Sequence, residues 1–165
     1  MGAVDDAIRH AITKMSQLHF VSAEEYRQRV IQLGEEPGRV FNVGAPGLDS
    51  IRQLPRLTRE EITRRTGIVF GQRNLLLTFH PVTMEPGQAQ TQTRALLDAL
   101  DPLEDTTLVF SAPNADAEGH SILNMIRGFV RAKPESRFFS ESFGQLVYLS
   151  LMGEVDGVVG NSSSG

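Results

Sequence analysis

Residues 75–83 read LLLTFHPVT, and this stretch narrows the fold more than any other in the chain. Leu75 to Phe79 form a short apolar run with the length and composition of a strand buried on both faces. His80 stands at its carboxyl end. Pro81 follows and disfavours helical backbone for the residue before it, so His80 is expected to be held extended at the strand tip. From here on, strand and helix patterns alternate with a period of roughly thirty residues, the length of a βαβ unit. Strands are expected at 75–79, 107–110, 136–139 and 155–159. The intervening helices carry Leu96, Leu97 and Leu100, then Ile122, Ile126, Phe129 and Val130, then Leu146 and Leu149. Such alternation predicts an α/β fold with a parallel, doubly wound sheet and helices on both faces.

The residues before this run read differently. Val4, Ile8, Ala11, Ile12 and Met15 recur at helical spacing, which predicts an amphipathic helix over 3–16 with Asp5 and Asp6 in its first turn. A short strand at 18–21 leads to Ser22-Ala-Glu-Glu25, a candidate capping box for a helix that should end at Gly34. A second strand is expected at 39–43. Residues 50–57 carry no hydrophobic period and include Pro55, so a linker is expected there. Thr58-Arg-Glu-Glu61 repeats the capping-box pattern before a helix that stops at Gly67, with Leu57 and Ile62 placed to staple its start.

Composition removes several functions. The net charge of −4, with both signs interspersed, lacks the basic footprint of a nucleic-acid binder. No apolar run approaches the roughly 18 residues of a membrane span, and residues 1–6 lack the regions of a secretory signal. Without cysteine there is neither a disulfide nor a thiolate metal site. The expectation is a cytoplasmic α/β protein. A helical pattern beginning almost at once, and a chain stopping just after an apolar strand, are read as a piece of a longer polypeptide.

Candidate functional residues gather at the expected strand tips: His80, then Asn114, then Ser140 to Ser142, then Asn161 to Ser164. Parallel strands would bring them to one edge of the sheet, where open α/β sheets bind ligands. One imidazole with neutral donors and acceptors suits a nucleotide, a sugar or a phosphate. Gly160-Asn-Ser-Ser-Ser-Gly165 exposes backbone N–H groups and hydroxyls suited to an anion; its alternative is a solvated serine linker. Likewise His80 has a structural alternative, Asn114 one as a helix-capping turn residue, and Arg64-Arg65 one as a solvated helix face. His10, His19 and His120 show no metal-ligand spacing.

Taken together, GAVDDAIRHAITKMSQLHF at 2–20, RVFNVGAPGLDSI at 39–51, TFHPVT at 78–83, PNAD at 113–116 and GNSSSG at 160–165 resemble the hydrolysing UDP-N-acetylglucosamine 2-epimerases. Pro81-Val82-Thr83 after the histidine, where the non-hydrolysing branch tends to be arginine-rich, favours the hydrolysing branch. The resemblance implies a glycosyltransferase-B-like fold, in which residues 1–54 are the end of a first Rossmann-like domain and 55–165 most of a second, nucleotide-binding one. It implies conversion of UDP-N-acetylglucosamine and water to N-acetylmannosamine and UDP, without metal or nicotinamide cofactor. The complete protein would be a homo-oligomer serving sialic acid-type biosynthesis. The alternatives are a glycosyltransferase of the same fold, a 2-epimerase for another UDP-sugar such as a diacetamido-trideoxyhexose, and a non-catalytic nucleotide-sugar sensor.

By the same resemblance Asp5 matches a carboxylate of the proton chemistry, and His80 a histidine that contacts the diphosphate. Asn114, Ser142, Phe143, Ser162 and Ser163 match positions near the UDP moiety. Further carboxylates and a basic residue of the family would lie before Met1, so the chain alone is expected to be inactive.

Overall fold

The computed structural model describes residues 4–80, 88–113 and 119–161, the side chains of Val4 and Asp5 excepted. The chain forms two compact units, Met1–Leu54 and Pro55–Gly165.

In the first unit, helix α1 (Val4–Met15) precedes strand β1 (His19–Val21), helix α2 (Glu24–Gln32), strand β2 (Val40–Asn42) and helix α3 (Pro46–Gln53). β1 and β2 pair in parallel, His19 opposite Val40, with α2 as the crossover. Glu35, just past α2, receives Lys14 Nζ at 2.6 Å and lies 3.1 Å from the buried His19 Nε2. One carboxylate thus ties the end of α1 to β1, and His19 is a packing residue. Arg27 of α2 donates to the carbonyls of Val40 and Pro37, fixing the entry to β2.

Two expectations fail here. Ser22 does not cap α2: the backbone stays extended through Ala23 (φ −150°, ψ 158°), which takes the N-cap position without a side-chain bond. This leaves Ser22 one residue too early to reach the N3 amide. The linker expected at 50–57 is also shorter, because α3 runs to Gln53. Pro46 stands in its first turn, where a missing N–H costs nothing.

The second unit follows its pattern closely. Helix α4 (Arg59–Thr66) carries the expected capping box in full. Thr58 Oγ1 accepts from the Glu61 N–H, Glu61 accepts from the Thr58 N–H, and Gly67 closes the helix at φ +77°. Leu57 and Ile62 are both buried in one cluster. There follow β3 (Arg73–Thr78), α5 (Ala89–Leu100), β4 (Thr106–Ser111), α6 (Gly119–Ala132), β5 (Arg137–Ser140), α7 (Gly144–Glu154) and β6 (Gly157–Gly160). The four strands are all parallel, in the order β5-β4-β3-β6.

The alternation of side chains along a strand divides the core in two. Leu77, Leu108 and Phe110 pack on one face with Leu97 and Leu100 of α5 and Ile122 and Ile126 of α6. Leu76 and Val109 pack on the other with Ile62 of α4 and Leu151 of α7. Unbroken apolar runs in β3 and β4 are what a sheet covered on both faces requires.

Polar groups secure the amino-terminal rim. Arg137 is 3% exposed; its guanidinium lies 3.6 Å from the Phe129 ring centroid and pairs with the Asp101 carboxylate. Asp156 accepts from both the backbone N–H (2.7 Å) and the side-chain amide (3.1 Å) of buried Asn74, joining β6 to β3. Those two bonds, the backbone one first, hold the Asp156 carboxyl below the ordinary aspartate value of 3.8.

Two predictions follow from the β3–β6 seam. A Cβ on Gly160 (φ +153°) would overlap the Thr78 carbonyl, and backbone cannot swing aside. Gly160→Ala should therefore destabilise the chain by at least about 2 kcal/mol in denaturant unfolding; a loss below about 0.5 kcal/mol would contradict this contact. Because the folded-state pKa of Asp156 is depressed, its contribution is complete above pH 3.8 and disappears as pH falls through the folded value. The melting-temperature gap between wild type and Asp156→Ala should close on acidification below that pH, whereas a gap equal at pH 3 and pH 7 would refute the assignment.

Candidate functional site

All four strands of the second unit point the same way, so their carboxyl ends share one rim. The crossovers build outwards from β3 through α5 to β4 and through α6 to β5, after which α7 carries the chain back to β6 on the other side of β3. The winding therefore reverses between β3 and β6. At such a reversal neighbouring crossover segments diverge to opposite faces and leave a crevice above the strand ends.

Two strand tips meet at that reversal. The β3–β6 ladder ends with Thr78 opposite Gly160. Beyond it, the Asn161 carboxamide continues the pairing: its Oδ1 accepts from the His80 N–H at 2.8 Å, and its Nδ2 donates to the His80 carbonyl at 2.9 Å. His80 is partly exposed at the rim, two residues past the end of β3. Beneath it the Thr78 and Ser111 hydroxyls share a 2.7 Å hydrogen bond, with Tyr148 OH 3.3 Å from Thr78 Oγ1. These hydroxyls connect β3, β4 and α7 under the crevice floor.

A second feature of the rim lies two strands away, about 10 Å by ordinary strand spacing. Where β5 passes into α7, Ser140 Oγ donates to the Ser142 carbonyl and the Gly144 N–H donates to Ser142 Oγ. A cavity of about 310 Å³ opens here, with Arg65, Thr66, Phe138, Ser140, Ser142 and Phe143 among its walls. It offers hydroxyls, aromatic surface and one cation, a combination suited to an anionic ligand with a planar ring. α7 begins at this cavity, so its amino end adds partial positive charge to the rim.

A larger groove, about 550 Å³, lies at the opposite rim. Its walls bring Glu104, Asp105 and Glu135 against the single cation Lys133. That balance repels a diphosphate, and the groove sits at the wrong ends of the strands. Among the described residues no cluster of three or more His, Cys, Asp or Glu could hold a metal ion, and no helix is long and apolar enough to cross a membrane.

Of the residues singled out from the sequence, His80, Ser142 and Phe143 lie on this one rim. Asp5 lies in the first turn of α1, in the other unit. Asn114, Ser162 and Ser163 lie outside the described residues. Sequence reasoning missed the contact between Asn161 and His80, the Tyr148 hydroxyl, and Arg65 facing the cavity rather than only solvent. The Asn161 contact joins positions 81 residues apart. The only sequence signal for it was that each residue follows an expected strand.

The profile of the UDP-N-acetylglucosamine 2-epimerase family matches residues 1–165. A GDP/UDP-N,N'-diacetylbacillosamine 2-epimerase (hydrolyzing) of Campylobacter jejuni is 37% identical over all of this chain and 43% of its own length. A UDP-N,N'-diacetylbacillosamine 2-epimerase (hydrolyzing) of Legionella pneumophila is 34% identical over 99% of this chain and 43% of its own. A polysialic acid biosynthesis protein, P7, of Escherichia coli is 37% identical over 98% and 41%. The chain thus spans less than half the length of these relatives. Among solved structures, the MnaA–UDP co-structure of S. aureus covers 92% of this chain and 39% of that one, with a TM-score of 0.69 at 12% identity. The UDP-GlcNAc 2-epimerase of Methanocaldococcus jannaschii covers 92% and 43%, with a TM-score of 0.59 at 16% identity. The parallel sheets and helices are those of the glycosyltransferase-B-like fold of these enzymes, and the chain belongs to the UDP-N-acetylglucosamine 2-epimerase family.

Proposed function

We propose that the complete protein carrying this chain is a hydrolysing UDP-sugar 2-epimerase, converting a UDP-2-acetamido sugar and water to the free 2-epimer and UDP. The observation that carries this reading is the pairing of the β3 and β6 tips through His80 and Asn161. An imidazole-bearing strand tip and the asparagine that precedes Ser162-Ser163-Ser164 in sequence are joined there, in a chain 37% identical to a hydrolysing epimerase. In this reading Met1–Leu54 is the end of a first Rossmann-like domain and Pro55–Gly165 most of a second, nucleotide-binding one.

The steps suit the residue types. The bond from carbon 1 to the diphosphate breaks with its electron pair leaving on UDP, and His80 stabilises that charge as it develops. Oxocarbenium-like charge on the sugar acidifies the hydrogen on carbon 2, and a carboxylate, the role proposed for Asp5, removes it to give a glycal. Water then adds its oxygen to carbon 1 while a proton returns to carbon 2 from the other face. Ser142 and Phe143, with Asn114, Ser162 and Ser163, are the residues proposed to hold UDP. No step calls on a metal or a nicotinamide. For Ser142 and Phe143 the support is the cavity beside α7.

A second reading concerns the sugar. N-acetylglucosamine is the first candidate, and the Neisseria meningitidis relative named UDP-N-acetylglucosamine 2-epimerase, 30% identical, supports it. The names of the Campylobacter and Legionella relatives favour a diacetamido-trideoxyhexose instead. Ratios of kcat/KM for the two UDP-sugars decide between them.

Incubated with the UDP-sugar in deuterated water and no acceptor, the complete protein should release UDP and a 2-epimer labelled at carbon 2. Unlabelled product would rule out elimination, and a need for an acceptor would indicate a glycosyltransferase. His80→Ala should cut turnover at least about a hundredfold, while near-normal turnover would reduce His80 to a structural residue.

A further inference from the structure

We infer that Asn161 is a positioning residue: its carboxamide, pairing with both main-chain groups of His80, sets where the imidazole stands relative to the reacting bond. The inference rests on the proposed epimerase reading and adds a residue to it. Past Thr78 the β3 backbone has no further rung in the ladder with β6, because that ladder stops at Gly160. The chain nevertheless has to be held at His80, two residues on, if the ring is to sit reproducibly at the crevice. A primary carboxamide presents an acceptor and a donor side by side on one edge, so it can meet both main-chain groups of a single residue. Asn161 uses them as one, through contacts of 2.8 and 2.9 Å.

The neighbouring residue makes the geometry hard to replace. Gly160 lies so close over Thr78 that no side chain fits, and this approach brings Asn161 level with His80. Asp at position 161 would keep the acceptor for the His80 N–H but lose the donor for its carbonyl. Only Asn or Gln carries both groups, and Gln is one methylene longer.

The test is a double-mutant cycle in the complete protein, joined to a spectroscopic measurement. Misplacing a reacting group by about 1 Å can cost a hundredfold, so Asn161→Ala should lower kcat/KM by about ten- to a hundredfold. In a His80→Ala background it should cost less than about twofold, since there is no imidazole left to misplace. In NMR spectra the imidazole resonances of His80 should move in Asn161→Ala, while those of His10, His19 and His120 stay in place. Asn161→Ser, too short to span both groups, carries the same expectations and serves if the alanine variant does not fold. If wild type is active but the two losses multiply, or the His80 resonances do not move, the inference is overturned while the functional reading stands. If wild type releases no UDP from any UDP-2-acetamido sugar, the functional reading falls and the inference with it.

Discussion

The close approach of Gly160 to the Thr78 backbone is the contact on which the functional end of this protein depends. It lets β6 pair with β3 on the side opposite β4, and that pairing makes the winding of the sheet reverse. Without the reversal the strand tips would still share a rim, but no crevice would open between diverging crossovers. The bonds from buried Asn74 to Asp156 hold the same two strands at their other ends, so the seam is fixed at both. Among the described residues, the cavity at the carboxyl end sets hydroxyls and Arg65 where the opposite groove sets three carboxylates. The opposite groove, with three carboxylates against one lysine, shows that size alone does not mark the site.

Apolar packing sets the sheet, and polar contacts set what the sheet presents. Leu76 and Val109 on one face and Leu77, Leu108 and Phe110 on the other belong to separate clusters, each closed by helices. Burial on both faces supplies most of the stability and leaves the tips free to carry hydroxyls, amides and an imidazole. The Thr78–Ser111–Tyr148 contacts satisfy hydroxyls just below the rim, so the floor of the crevice is polar without leaving a buried group unpaired.

Much of this was legible in the residues. The run from Leu75 to Phe79, the spacing of the later strands, and the Thr58–Glu61 box reported local choices that tertiary structure did not override. The Ser22–Glu25 box was a false signal, because extended backbone through Ala23 decided where α2 begins. α3 was missed because Pro55 and a weak hydrophobic period masked it, although Pro46 in its first turn was a usable start signal. Strand order was not legible at all. The sequence says that β6 is parallel to its neighbours, not that it lies beside β3, and so the Asn161–His80 contact and the cavity-facing side of Arg65 stayed hidden. The resemblance to the epimerases pointed to His80 and to the GNSSSG motif, and the topology brings His80 and Asn161 of those motifs together.

The most direct test of the account is a crystal structure of the complete protein with UDP bound. The expected result is a diphosphate at the β3–β6 tips, beside His80 and Asn161, with the uracil ring toward Ser142 and Phe143. A nucleotide seated instead at the amino-terminal rim, in the groove of Glu104, Asp105 and Glu135, would contradict it.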